Sequence, residues 1–126
     1  MDRAGFERLA GRLADAWNAG DAVTAAECFA ESVDYRDPRR YRFSRRAQLV
    51  RFFEPSPDGH AVTWHRRLFD EQAQAGVLEY TYVGQHRYHG AAVVEIDADG
   101  RISRWREWQH RDDERSWLEY LAGPAE

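Results

Sequence analysis

Residues 102–110, ISRWREWQH, hold the reading on which the fold turns. They alternate as a half-buried strand does. Ile102, Arg104, Arg106, Trp108 and His110 fall on one face, and Ser103, Trp105, Glu107 and Gln109 on the other. Neither face is plainly apolar. One carries a carboxylate beside a tryptophan, the other two arginines beside a tryptophan. The strand is entered through IDADG at 96–100, where Asp99-Gly100 between two apolar runs signals a hairpin. Arg87–Ile96 is then its antiparallel neighbour.

Outward from this hairpin the same character continues. Val62–Phe69 and Val77–Val83 are strand-like, and the links between these runs are short and polar. Further upstream the periodicity changes. Residues 4–18 carry Phe6, Leu9, Ala10, Leu13, Ala16 and Trp17 at helical spacing. Gly20 ends that helix and Asp21 caps the next, Ala22–Ala30, with Val23, Ala26 and Phe29 directed inward. VDYRDP at 33–38 is extended, because Pro38 disfavours helix at Asp37. Tyr41 and Phe43 form a further short strand. Ser44 caps a third helix, Arg45–Phe53, and EPSPDG at 54–59 is a loop. Residues 116–121 add a last helical turn. The expectation is one α+β domain over residues 1–126: a cone-shaped fold of three N-terminal helices on a strongly curved antiparallel sheet. Such a cone leaves a cavity, and a half-polar inner strand face belongs near its mouth.

Composition narrows the partners. The chain has 126 residues, 43% of them hydrophobic and 13% aromatic, a net charge of −4, and 18 basic residues, all arginine. The acidic balance argues against a general nucleic-acid surface. A single cysteine, Cys28, excludes an intrachain disulfide and a cysteine-rich zinc site. The N-terminus lacks the layout of a signal peptide, and no apolar run approaches the ~18–20 residues of a membrane span. A cytoplasmic location is the expectation.

The order of elements, the Gly20-Asp21 pair between the first helices, VDYRDP and IDADGRISRW together resemble the NTF2-like superfamily. That superfamily includes SnoaL-like cyclases and ketosteroid isomerases. TWH (63–65), EYTY (79–82), YHG (88–90) and WREWQ (105–109) are similar to a bacterial subgroup of mostly unassigned function. The resemblance implies the cone fold. It implies that Trp105, Glu107 and Gln109 face the cavity, with Tyr88, Gly90, Ala92 and Val94 on the neighbouring strand. In ketosteroid isomerases the aspartate of the matching Asp-Pro segment is the general base, and Asp37 stands there. The two oxyanion donors do not carry over: a tyrosine position falls at Leu13 and an aspartate position at Ala92. In SnoaL-like cyclases an acidic residue on the last strand is the acid/base, and Glu107 falls at or next to it.

Glu107 and Asp37 are therefore the candidate catalytic pair. A carboxyl inside an apolar cone has its pKa raised, toward the range that suits proton transfer. The competing readings are a structural glutamate bonded to Tyr88, His65 or an arginine, and an Asx-type turn at Asp37-Pro38. Tyr88, His65, Trp105, Gln109, Trp64 and Tyr80 are the candidate substrate-binding residues. Tyrosine hydroxyls need partners and can orient a carbonyl, and the tryptophans supply wall. No metal-binding spacing is present, although a cross-strand set of His65, Glu79 and His89 is conceivable. No P-loop, GxGxxG, GxSxG or HExxH occurs, and no cofactor is implied. Trp108 among arginines on the outer face suits a homodimer through the sheet. The reading is a pocket protein for a small hydrophobic molecule, catalysing isomerisation, cyclisation or hydration without a cofactor. The alternative is a non-catalytic ligand-binding or protein-interaction module.

Overall fold

The computed structural model describes residues 1–37 and 40–123. Pro38, the last residue of the VDYRDP segment, and Arg39 lie outside them. Helix α1, Arg3–Asn18, starts where the Asp2 carboxylate accepts from Gly5 N at 2.7 Å. Its buried stripe is Phe6, Ala10, Leu13, Ala16 and Trp17. Asn18 ends it by exchanging two hydrogen bonds with the backbone of Val62, at 2.8 and 2.7 Å. Trp64 Nε1 donates to Ala10 O at 2.7 Å, a second tie between this helix and the sheet.

Asp21 caps α2 as expected, accepting from Thr24 N at 3.1 Å. The helix is shorter than the expected Ala22–Ala30: it spans Ala22–Glu27, and Phe29–Arg36 is strand β1. The reason is local. Only Ala22, Ala25 and Ala26 form an inward helical face, and Ile102 N draws Cys28 O into the sheet at 2.9 Å. From there Phe29, Val33 and Tyr35 are buried as strand residues. Val23, expected inward, is exposed. Strand β2, Arg42–Arg45, folds back on β1, and α3, Arg46–Phe52, follows. Its first turn is held by Gln48 Oε1, which accepts from Ser44 N and Arg45 N at 2.9 and 3.1 Å, rather than by a Ser44 side-chain cap.

The remaining strands are β3 (Ala61–Asp70), β4 (Ala75–Val83), β5 (Arg87–Ile96) and β6 (Ile102–Arg111). They form the expected antiparallel meander. The curved, unclosed sheet has the order β2-β1-β6-β5-β4-β3, and β1 runs parallel to β6. The sheet is thus mixed rather than wholly antiparallel, since β1 enters beside β6 in the direction that β6 runs. A fourth helix, α4 (Trp117–Ala122), follows the sheet, so helices are not confined to the N-terminal part. Among the described residues no helix is long and apolar enough to cross a membrane.

Two bulges set which side chains point inward. In β3, His65 and Arg66 together oppose Glu79. In β6, Ser103 is the extra residue between the pairs Ile96–Ile102 and Glu95–Arg104. Strict alternation placed Ile102 on the arginine face. The bulge instead turns Ile102 inward alongside Trp105, and both are 2% exposed.

Candidate active site

The inner face of β6 carries Trp105, Glu107 and Gln109, the phase expected from the sequence. Trp105 packs against Tyr35 of β1, with parallel rings 5.6 Å apart, and against Phe29 and Trp64. Glu107 sits above this ring stack and is 8% exposed. Its two oxygens have different partners. Tyr35 Oη donates to Oε1 at 3.1 Å, and Tyr80 Oη lies 2.5 Å from Oε2. Tyr80 Oη is also 3.0 Å from Gln109 Oε1. Gly90 makes this possible: it pairs with both Tyr80 and Gln109, and a Cβ there would lie 3.0 Å from the Tyr80 hydroxyl oxygen. Without that Cβ the phenol lies across β5 toward β6.

Burial pushes the Glu107 pKa up from its ordinary value. The Tyr80 hydrogen bond opposes this, the nearby Asp37 charge reinforces it, and the Tyr35 hydroxyl and Trp105 indole oppose it. The result is a raised value. The Trp105 Nε1–H is buried, meets no acceptor in good hydrogen-bond geometry among the described residues, and lies near enough to Glu107 to favour its ionised form. Burial and the neighbouring carboxyl hold Tyr35 and Tyr80 far above the ordinary phenol range, so both remain O–H donors.

Asp37 follows Arg36, the parallel partner of Arg106, and so stands next to the level of Glu107. The two carboxyls are close enough for one charge to disfavour the other. The Asp37 backbone N donates to Tyr41 O at 2.8 Å, which shapes the turn.

Four expected neighbours of Glu107 divide in two. Trp64 and Tyr80 are inward and buried, edge to face with centroids 6.1 Å apart. Tyr88 keeps the inner phase but pairs with Tyr82 and Arg111, two inward positions beyond Ala92, the residue opposite Glu107. It is not the hydroxyl partner of Glu107. His65 is on the outer face, because it is the outward residue after inward Trp64. Its Nε2 meets Thr81 Oγ1 at 2.7 Å and its ring stacks on Trp117 at 4.4 Å. Among the described residues no arginine bonds to Glu107 either. His89 is buried on that outer side, bonded to Thr81 Oγ1 at 2.9 Å and to Arg115 O at 2.8 Å. Glu79 is ion-paired to Arg66. Among the described residues no group of His, Cys, Asp and Glu side chains could hold a metal ion.

Tyr35 is the site residue that the sequence reading missed. Period two through Val33-Asp34-Tyr35-Arg36-Asp37 puts Val33, Tyr35 and Asp37 on one face, which was a usable signal. What joins that face to Glu107 is the parallel β1–β6 pairing, which no local pattern announces. The open cavity expected beside Glu107 is occupied in large part by rings: Tyr35, Phe43, Phe52, Trp64, Tyr80 and Trp105. A surface groove of about 720 Å³ is bounded by Met1, Arg8, Gln74 and Asp97, at the far end of β5.

The helix-backed, curved and unclosed sheet is that of an NTF2-like protein. The chain belongs to the SnoaL-like domain family, whose model matches residues 10–105. Solved structures agree in fold. A protein of unknown function with a cystatin-like fold from Methylobium petroleophilum is 20% identical, with a TM-score of 0.77 over 93% of this chain and 82% of that one. The epoxide hydrolase/cyclase-like enzyme SalBIII, of pyran ring formation in salinomycin, is 15% identical, with 0.76 over 89% and 95%. A Δ5-3-ketosteroid isomerase from Mycobacterium sp. is 12% identical, with 0.70 over 86% and 98%. At these identities the likeness is one of fold. No curated protein sequence shows a significant match.

Proposed function

We propose that this protein is a cofactor-independent enzyme that uses Glu107 for general acid/base proton transfer on a small hydrophobic molecule, in an isomerisation, cyclisation or hydration. The observation that carries this reading is a buried carboxyl held by two phenols and, among the described residues, by no cation, with its pKa raised. A group of that kind holds a proton in an apolar interior and releases it on demand. Asp37 is the second carboxyl. Its charge adds to burial in raising the Glu107 pKa. Gln109, Asp37, Tyr82 and Tyr88 are half-buried and border the approach. Trp64, Tyr80 and Trp105 form its wall. His65 drops out of the substrate-binding set. Fold neighbours that are an epoxide hydrolase/cyclase-like enzyme and a ketosteroid isomerase make epoxides and unsaturated cyclic ketones the first compounds to offer.

The test is turnover of such a panel by the wild type and by Glu107→Gln. The expected result is turnover that falls at least ~100-fold in the variant, with ligand binding retained. Saturable binding without turnover by the wild type would favour the alternative, a non-catalytic binding module. Unchanged turnover in Glu107→Gln would remove Glu107 from the chemistry.

A homodimer through the outer sheet face completes the proposal. Leu68, Val77 and Val93 form a cross-strand row there, with Trp108 diagonal to it and 56% exposed. Arg104 and Arg106 flank it. A self-complementary apolar centre with a charged rim is what a two-fold interface uses.

A further inference from the structure

Tyr80 has one proton and two acceptors. Its hydroxyl oxygen is 2.5 Å from Glu107 Oε2 and 3.0 Å from Gln109 Oε1. One O–H cannot donate to a carboxylate and to an amide carbonyl together. With Tyr35 donating to Oε1 and Gln109 bonded to Tyr80, two hydrogen arrangements satisfy all three groups. In the first, Glu107 is neutral: its Oε2–H donates to Tyr80 Oη, and Tyr80 donates to Gln109 Oε1. In the second, Glu107 is ionised: Tyr80 donates to Oε2, and Gln109 must turn its amide so that Nε2–H donates to Tyr80 Oη. Both are complete. Tyr80 and Glu107 are buried, and a buried polar group left unpaired costs ~1–3 kcal/mol, which disfavours mixtures that strand either of them.

We propose that Tyr80 couples the proton of Glu107 to the side-chain amide of Gln109, so that Gln109 turns its carbonyl oxygen to Tyr80 when Glu107 is neutral and its NH2 when Glu107 is ionised. The orientation in the structure, with Oε1 toward Tyr80, belongs to the neutral state. Two proton shifts connect the states. Tyr80 gives its own proton to a water or a basic ligand atom, and takes the Glu107 proton in its place. The proton taken from Glu107 then already lies between Oη and Oε2, on the phenol.

The coupling rests on the acid/base reading above and adds a ligand preference to it. In the neutral state the Gln109 NH2 group is turned away from Tyr80 and serves a ligand oxygen. In the ionised state the carbonyl takes that place and serves a ligand donor. The acid form of the site thus suits a carbonyl, ether or epoxide oxygen, and the base form suits a hydroxyl. The other groups facing Glu107 keep this relay to three residues. Tyr35 from β1 occupies Oε1 alone, Asp37 acts through charge, β5 offers only Gly90 and Ala92, and β3 offers Trp64, whose N–H is spent on Ala10 O.

The test follows the Glu107 side-chain carboxyl carbon and the Gln109 side-chain NH2 by NMR across a pH titration of the whole protein. The expected result is one shared midpoint in the wild type. In Tyr80→Phe, Glu107 should still titrate while Gln109 no longer follows it. A Gln109 amide that stays still through the wild-type Glu107 titration overturns the coupling, as does one that follows equally in Tyr80→Phe. Should Tyr80→Phe fail to fold, Glu107→Gln decides. Its Gln109 amide should be fixed across that pH range, and movement there overturns the proposal. A Glu107 midpoint in the ordinary carboxyl range with Gln109 still following counts against the acid/base reading alone. A raised midpoint with a silent Gln109 counts against the coupling alone.

Discussion

Glu107 is bonded to two phenols and, among the described residues, to no cation, and the balance of those neighbours against burial decides how folding responds to pH. Its folded pKa is raised, so the folded chain holds this proton more tightly than the unfolded chain. The stabilisation is full below the unfolded value of about 4.5 and is lost as pH rises through the folded value. Glu107→Gln keeps shape and a neutral group, so its Tm relative to wild type should climb as pH rises above about 4.5. Thermal unfolding across pH checks this, and a difference that stays flat would mean that the folded and unfolded chains hold the Glu107 proton equally, with no raised pKa. Tyr35→Phe removes a donor to the carboxylate. It should cost about 1 kcal/mol in a urea titration and push the Glu107 midpoint further up. Both residues were visible in the sequence as strand positions. Only Glu107 was readable as a site residue, because its importance follows from phase alone, whereas that of Tyr35 needs the β1–β6 pairing.

At the scale of elements, the outer face near α4 is the clearest departure from expectation. Asp112 accepts from Glu114 N and Arg115 N at 3.1 and 3.0 Å and pairs with Arg115 Nε at 2.6 Å, which builds the turn into this helix. Trp117 and Tyr120 then lie on His65, His89 and His110. The helix buries no residue of its own, so ring contacts carry much of its attachment. Trp117→Ala should free the helix, seen as faster amide exchange over residues 117–122, with unchanged protection in β4 and β5. The His65 pKa is lowered, mainly by burial and then by His89. Its contribution is therefore present above about 6.5 and lost as pH falls through its folded value, so the protection of the same amides, relative to their intrinsic exchange at each pH, should fall in mild acid. A pH-independent protection would contradict this. Gly90→Ala should be among the most damaging single changes to the sheet, because the added Cβ meets the Tyr80 phenol and the Trp108 carbonyl oxygen. The sequence marked the residues of α4 as a helical turn, but nothing local could say that histidines from three strands would meet it. The shortening of α2 and the two bulges were equally hidden, since each is enforced by a partner strand distant in sequence.

For the whole molecule, the α+β cone and the antiparallel meander were legible because period and turn chemistry are local: Asp97-Ala98-Asp99-Gly100 closes its turn with Gly100 at positive φ, as the Asp-Gly signal implied. Parallel entry of β1 was not legible, and neither was the extent to which aromatic rings fill the inner face. The outer face makes a prediction at this scale. If two copies join there, sedimentation should find a dimer for the wild type and a shift to monomer for Trp108→Ala, whereas an unchanged association would remove Trp108 from the interface. The inner face makes the central one: a half-cone closed by rings keeps one carboxyl neutral where water would ionise it. The most direct measurement is the pH titration of the Glu107 carboxyl carbon, assigned by its absence in Glu107→Gln. A midpoint clearly above 4.5 is the predicted result; a midpoint at or below 4.5 would contradict the account.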